Sequence, residues 1–248
     1  MRVRFLVLIV LLVGFLLAAA GLTSAGEYSD PSGYGFRYPE GWVAVSELDR
    51  DSVAKEVREW LDNQAIDLTV LSVVVVDPGP KEFSPNCNVV LIEGEIPVTD
   101  GTLQDMLGAL PGKYRSMKIE VSNLKGALQQ VGANQAIVFH YDTKLPGVPF
   151  PLHQQQVYLP GGGKTHIITC TTTIDRIAQD DLAFQSILAT FQVPPVQGSR
   201  LNWNEVGSSS LIGGIVGGLT AGIVVGLMQL RKRKPRPEPS DDGDDELR

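Results

Sequence analysis

The chain has 248 residues, a formal net charge of −7 and only two cysteines. An acidic protein repels phosphate backbones, so we expect no nucleic-acid partner. Two cysteines are too few for a fold built on disulfides, although they can form one bridge.

The first 25 residues have the pattern of a signal peptide. A basic start, MRVR, precedes an apolar run over residues 5–22, and the small residues Thr23, Ser24 and Ala25 follow. This order predicts export and cleavage after Ala25. Because the apolar run is long for a signal peptide, an uncleaved anchor is the alternative.

The segment 26–192 is predicted to be one extracytoplasmic domain that begins with short strands. Asp30-Pro31-Ser32-Gly33 is a turn sequence, and apolar residues at helical spacing predict a helix over 48–63. Strands are predicted at 36–38, 42–45, 68–76 and 89–96.

The second half of this domain is predicted to be mostly strands between two helices. One helix starts at Thr102, and Pro111 is expected to end or kink it. Strands follow at 118–121, 127–131, 135–141, 154–159 and 166–173, and a helix at 175–191 presents Ile177, Leu182, Phe184, Ile187, Leu188 and Phe191 to the sheet. Closely spaced strands with short turns favour antiparallel pairing, so the fold class is α+β.

Residues 193–209 are rich in proline and polar residues and are predicted to be a linker. The segment 210–230 is predicted to be a transmembrane helix, because its last twenty residues carry no charge and reach about 30 Å as a helix. The basic cluster that follows places residues 231–248 in the cytoplasm as a disordered tail. This cluster consists of Arg231, Lys232, Arg233, Lys234 and Arg236.

Glycines recur at every fourth position of the predicted membrane helix, at Gly214, Gly218, Gly222 and Gly226. Such a ridge lets two helix backbones approach closely. We therefore expect this helix to associate with a second copy, as a homodimer, or with another membrane helix. The alternative is the ordinary abundance of glycine in membrane helices.

The two cysteines allow two interpretations. Cys87 precedes one predicted strand and Cys170 lies within another, on a part of the chain expected to be outside the cytoplasm, where a bridge is permitted. Two free, buried cysteines are the alternative, because the sequence alone does not show how far apart the residues are.

No residue pattern predicts an enzyme, a cofactor or a metal. His140, His153 and His166, with Asp142, lack the local spacing of metal ligands. The run Gly161-Gly162-Gly163-Lys164-Thr165 lacks the first glycine of a phosphate loop and is followed by a strand, so we interpret it as a hairpin turn. Glu93 and Glu95 are expected to face solvent.

The start of the domain resembles the PsbP-like superfamily. The resemblance rests on Tyr28-Ser29-Asp30-Pro31 and on Gly33-Tyr34-Gly35-Phe36-Arg37-Tyr38-Pro39, followed by Gly41-Trp42. It continues at pattern level through most of residues 27–192. It implies an antiparallel sheet with helices on both faces, and a binding or assembly role rather than catalysis.

Together these features predict a single-pass protein of the cell membrane that displays a non-catalytic binding or assembly module outside the cytoplasm. Its expected partners are the membrane and an envelope protein that the sequence does not identify. The alternative is a cell-envelope enzyme or a small-ligand carrier with a pocket in the α+β domain.

Overall fold

The computed structural model describes residues 26–45, 71–80, 83–116, 118–145, 148–198 and 201. The predicted signal peptide, the predicted helix over 48–63, the predicted transmembrane helix with its glycine ridge, and the predicted tail with its basic cluster lie outside these residues. None of the described helices is long and apolar enough to cross a membrane.

The described residues form strands, two α-helices and one 3₁₀ turn. In chain order they are β1 (Gly26–Ser29), β2 (Gly35–Tyr38), β3 (Val43–Val45), β4 (Leu71–Val76), β5 (Asn86–Glu93), α1 (Asp100–Ser116), β6 (Glu120–Val131), β7 (Asn134–Lys144), β8 (Leu152–Gly161), β9 (Lys164–Thr173), the 3₁₀ turn Ile174–Arg176, and α2 (Ile177–Thr190).

The main sheet has seven strands in the order β3-β4-β5-β9-β8-β7-β6, and each neighbouring pair is antiparallel. β1 and β2 form a separate antiparallel hairpin. The predicted α+β fold with an antiparallel sheet is therefore confirmed.

Helix α1 covers one face of the sheet, which we call the α1 face. Leu103, Met106, Leu110 and Tyr114 point inward from the helix and belong to a core cluster with apolar residues of β5, β7, β8 and β9. Tyr114 is fully buried, and its ring lies 5.6 Å from that of Tyr141 on β7. The helical spacing of these apolar residues is what makes α1 amphipathic.

Helix α2 and the β1–β2 hairpin cover the opposite face, which we call the α2 face. Phe184, Ile187, Leu188 and Phe191 pack on alternate residues of β4, β5, β7, β8 and β9. The ring of Phe191 stacks on that of Phe36 at 5.3 Å and on that of Tyr34 at 5.6 Å. Helices therefore lie on both faces of the sheet.

Three details of these elements differ from the sequence predictions. Pro111 does not end α1 but lies inside it, and the helix continues to Ser116, so a kink is the alternative that remains. The strands predicted at 118–121 and 127–131 are one strand, β6, with an irregularity between Ser122 and Lys125. Leu182, expected to face the sheet, is 77% exposed on α2.

The predicted hairpin turn at the three glycines is present between β8 and β9. Gly162 and Gly163 have φ angles of 64° and 80°, and Gly161 pairs with Lys164 across the turn. A two-residue turn of this kind needs positive φ at both central residues, which glycine adopts without steric cost.

Candidate functional site

The strands of the main sheet run between two ends that carry different groups. At one end β5 finishes at Glu93 and β9 starts at Lys164, and these residues pair. At the other end β5 starts at Asn86 and β9 finishes at Thr173. We call these the strap end and the far end, and they are about 30 Å apart along β9.

At the strap end, residues 193–198 follow α2 and lie against the turn between β8 and β9; we call them the strap. The carboxylate of Glu95 accepts hydrogen bonds from the backbone N–H groups of Gln197 (2.8 and 3.0 Å) and Gly198 (2.6 Å), and from that of Gly163 (2.9 Å). Several N–H donors on one carboxylate stabilise its charged form. The Glu95 side chain therefore joins the strap to the turn between β8 and β9.

Backbone hydrogen bonds extend this attachment on both sides. The N–H of Gly162 donates to the carbonyl of Pro195 (3.0 Å), and the N–H of Leu201 donates to the carbonyl of Glu95 (2.9 Å). The first part of the predicted linker therefore lies against the domain without forming a helix or strand.

Glu95 corrects a sequence expectation. It is only 4% exposed, whereas Glu93 is the solvent-facing carboxylate and pairs with Lys164 at 3.1 Å. Glu93 and Glu95 differ because β5 ends at Glu93, and Gly94 then turns the chain with a φ of 89°. The alternation of a strand does not extend past its last residue.

The turn at the start of the domain is held by one hydrogen-bonded network. The Asp30 carboxylate accepts from Tyr28 Oη (3.0 Å), from Ser72 Oγ on β4 (2.6 Å) and from Ser32. Tyr34 Oη donates to Ser72 Oγ at 2.6 Å. Tyr28, Asp30 and Tyr34 belong to the block that resembles the PsbP-like superfamily, and here they fasten the hairpin to the sheet.

The pKa values of the side chains in this network follow from burial and from hydrogen bonds. Partial burial by itself raises the pKa of Asp30, but hydrogen bonds from Ser32, Ser72 and Tyr28 outweigh it and lower the pKa to about 2. Burial raises the pKa of Tyr34 and of Tyr28, so both remain neutral donors.

Cys87 and Cys170 form a disulfide between β5 and β9. They are directly opposite each other in the register, with Cα atoms 4.1 Å apart, and both are buried on the α2 face. The structure thus selects the bridge from the two interpretations that the sequence allows. The bridged pair lies at the middle of the sheet, between the β4 and β8 strands.

The three histidines do not converge. His140 and His153 stack on neighbouring strands with ring centroids 5.9 Å apart, whereas His166 is buried beside Tyr34 and contacts the carbonyl of Leu159. Across the described residues, no group of three or more His, Cys, Asp or Glu side chains could hold a metal ion.

His153 and Asp142 form a polar pair at the surface of the α2 face. His153 Nδ1 lies 2.8 Å from Asp142 Oδ1, and Asn123 Nδ2 donates to Asp142 Oδ2 at 2.6 Å. Asn123 reaches this carboxylate from the irregular part of β6, where its φ is 55°. Burial, followed by the neighbouring His153, lowers the pKa of His140. The pair orients an imidazole, which is one part of a base catalyst but not a complete one.

At the far end, three loops surround a cavity of about 720 Å³. Its walls come from the loop between β4 and β5, the loop between β7 and β8, and the junction of β9 with α2; among them are Pro80, Phe83, Phe150, Pro151 and Thr173. The volume is within the range of small-molecule sites, which is about 300–1,000 Å³.

The α1 face carries a buried polar layer that the sequence analysis did not identify. Gln156 is fully buried, and its amide donates to Thr169 Oγ1 (3.1 Å) and accepts from Tyr158 Oη (2.8 Å) and Tyr114 Oη (3.2 Å). The run Gln154-Gln155-Gln156 before the apolar residues Val157-Tyr158-Leu159 was the available signal.

Neither a protein-family model nor a curated protein sequence matches the chain. Among solved structures, the solution structure of PsbP from the cyanobacterium Synechocystis is 19% identical, with a TM-score of 0.46 over 70% of this chain and 94% of that one. In fold, the described domain is similar to PsbP.

Two further solved structures are similar over 70% of this chain. LpqN of Mycobacterium tuberculosis, which is involved in cell envelope biogenesis, is 14% identical, with 93% of its chain covered and a TM-score of 0.39. A Pseudomonas aeruginosa protein of unknown function, a putative regulator, is 12% identical, with 100% covered and a TM-score of 0.39. These PsbP-like similarities concern the fold and assign no activity to this chain.

Proposed function

We propose that this protein is a membrane-tethered, non-catalytic binding or assembly module that is displayed outside the cytoplasm. The observation that carries the proposal is the strap held by Glu95. It directs the chain out of the domain at the strap end, and Leu201 is the last described residue of this path.

The chain that follows the strap limits how far the domain can move from the membrane. Between Leu201 and Leu211, where the uncharged segment starts, the chain extends at most about 35 Å even when fully stretched. A domain confined in this way meets membrane neighbours at a raised effective concentration. The far end, with its cavity, is the end opposite to the attachment.

The bridge between Cys87 and Cys170 supports export. Disulfides form and persist outside the cytoplasm, whereas cytosolic thiols are kept reduced. The export pattern over residues 1–25 and the basic cluster after residue 230 favour the same orientation.

The orientation is tested with two variants of the full-length protein that each add one cysteine, because the bridged cysteines do not react with maleimides. Ser208→Cys precedes the uncharged segment and Ser240→Cys follows it. On intact spheroplasts, a membrane-impermeant maleimide should label Ser208→Cys, and it should label Ser240→Cys only after permeabilisation. Labelling of Ser240→Cys from outside would disprove the orientation.

The binding role is tested by photo-crosslinking of the full-length protein in cells. A module that acts through tethering should lose crosslink yield to its membrane partner when about 40 glycine and serine residues are inserted after Ser208, because effective concentration falls with linker length. An unchanged yield would contradict a tethering role, and substrate turnover by the purified protein would contradict a non-catalytic one.

The small-ligand alternative is favoured by one observation, the far-end cavity of about 720 Å³. A carrier would bind its ligand there, and the polar groups beside the cavity define which ligands are suitable.

A further inference from the structure

Five buried polar side chains near the far end have hydrogen-bonding atoms without partners among the described residues. Gln155 is on the α2 face; the other four are Ser84, Thr143, Gln154 and Thr171, all at most 1% exposed. Among the described residues, the three hydroxyl groups and both polar atoms of the Gln154 amide make no hydrogen bond. Buried polar groups in folded proteins are nearly always paired, so a cluster of exceptions requires an explanation.

These four residues lie near one another in the strand register, and we call them the unpaired row. Gln154 on β8 is directly opposite Thr171 on β9, and Thr143 lies one same-face position away on β7. Ser84 precedes β5, and its backbone carbonyl accepts from the side-chain amide of Asn86, which is opposite Thr171. Opposite residues on one sheet face have Cβ atoms about 5 Å apart, and diagonal ones about 7 Å.

The part of the polar layer around Gln156 is hydrogen-bonded. Gln156 lies two residues after Gln154 on the same strand and face, and both its amide nitrogen and its amide oxygen are hydrogen-bonded. Thr169 stands in the same relation to Thr171 and accepts from Gln156. Gln156 and Thr169, in the middle of the sheet, are therefore hydrogen-bonded, whereas the side chains of Gln154 and Thr171, towards the far end, are not.

The far-end cavity lies near the unpaired row. Thr173 lines the cavity and is two residues, about 7 Å, from Thr171 along β9. Phe83 lines the cavity too and belongs to the core cluster of the α1 face. Its ring packs edge-on against Phe150 at 6.2 Å. The four residues of the unpaired row are buried and none of them lines the cavity, so a ligand in the cavity contacts the row only by displacing a side chain of the wall.

We propose that the far-end cavity and the unpaired row form a binding site for an uncharged small molecule of the N-acetylated sugar class. The free amide of Gln154 offers one acceptor and paired donors, which complement the N–H and carbonyl of a ligand amide. The hydroxyls of Ser84, Thr143 and Thr171 each donate and accept, as ligand hydroxyls do.

The unpaired row selects against ionic ligands. Two charged residues, Asp175 and Arg176, are among the described residues that line the cavity. Arg176 is engaged by the Asp180 carboxylate, to which it donates at 2.7 and 3.1 Å, and Asp180 also accepts from Thr172. The unpaired row itself carries no charge. An ion moved into it would lose hydration without gaining a counter-charge, whereas a neutral polar ligand would gain the missing hydrogen bonds. The apolar face of a sugar fits the Phe150, Pro80 and Pro151 walls.

This site does not depend on the membrane tether, so its test is separate from the labelling of Ser208→Cys and Ser240→Cys. The first experiment measures thermal unfolding of the full-length protein in lipid nanodiscs by near-UV circular dichroism. Gln154→Met and Thr171→Val remove unpaired groups, and we expect each to raise Tm by about 2–4 °C. The matched variants Gln156→Met and Thr169→Val remove paired groups and should lower Tm.

If Gln154→Met and Thr171→Val lower Tm as much as their matched variants do, the row is paired in solution and the proposal is wrong. If the change in Tm is positive for the row variant and negative for its matched variant, the unpaired groups of the row lower stability in the native protein, as groups in functional sites often do.

The second experiment measures binding to the same nanodisc-embedded protein by saturation-transfer NMR and calorimetry. N-acetylglucosamine should bind, with Kd at least tenfold lower than that of glucose, which lacks the amide, and of glucosamine, which is cationic. Gln154→Met should weaken N-acetylglucosamine binding at least tenfold. Equal binding of all three sugars, no binding of any, or binding of N-acetylalanine amide in their place would overturn the sugar assignment.

Discussion

The carboxylate of Glu95 holds the backbone of Gln197, with its two oxygens 2.8 and 3.0 Å from one N–H group. These residues are 102 positions apart in the chain. This contact joins the end of β5 to the strap, and so it decides where the polypeptide leaves the domain.

Replacing Glu95 by glutamine should loosen the strap. The neutral amide keeps one acceptor oxygen and places an NH₂ group where the second oxygen accepts, so we expect a loss of about 1–3 kcal/mol in the free energy of unfolding. Hydrogen–deuterium exchange should become faster at the amides of Gln197 and Gly198. Glu93→Gln is the control, because Glu93 is exposed and pairs only at the surface. Equal exchange in the two variants would contradict the role of Glu95.

Loss of the disulfide should destabilise the domain strongly. The bridge closes a loop between residues 83 positions apart, and the chain-entropy account predicts a loss of about 4–5 kcal/mol in the double variant Cys87→Ala/Cys170→Ala. Urea unfolding of the native and variant proteins measures this difference. The denatured, unreduced native protein should contain no free thiol; two thiols per chain would contradict the bridge.

Acid should weaken the attachment of the β1–β2 hairpin. The pKa of Asp30 is lowered to about 2 in the folded protein from its ordinary value of 3.8, so the unfolded chain binds the proton more readily. The stabilisation is therefore complete above about pH 5 and is lost as the pH falls towards 2. Asp30→Asn should flatten the stability of the protein over this range.

The control for this pH dependence is Asp175→Asn, which changes a carboxylate at the far end outside the hairpin network. Thermal unfolding measured from pH 6 to pH 2 distinguishes the two variants. If Asp30→Asn retains the acid sensitivity of the native protein, Asp30 does not hold the hairpin.

The glycine ridge outside the described residues gives a prediction from sequence alone. Gly218→Ile and Gly222→Ile should abolish self-association of the segment 210–230 in a membrane reporter assay, because branched side chains keep the helix backbones apart. Val224→Leu lies off the ridge and should leave the signal unchanged. A signal that survives both glycine substitutions would favour the ordinary abundance of glycine as the explanation.

The sequence was sufficient for the elements whose periodicity is local. The strand predicted over 68–76, the helix predicted to start at Thr102 and the glycine turn at Gly162 are all present, as β4, α1 and the turn between β8 and β9. Pro111 shows the limit of such rules, since α1 continues through it where a local penalty for proline predicts an end.

The tertiary structure alone decided which distant groups meet. The sequence determined an acidic α+β domain with export and membrane-segment patterns at its ends, because composition and periodicity are properties of neighbouring residues. The pairing of Cys87 with Cys170, the burial of Glu95 under the strap, and the contrast between Gln154 and Gln156 depend on strand order and register. Register is set by packing over the whole sheet, so residues that look equivalent along one strand acquire different partners.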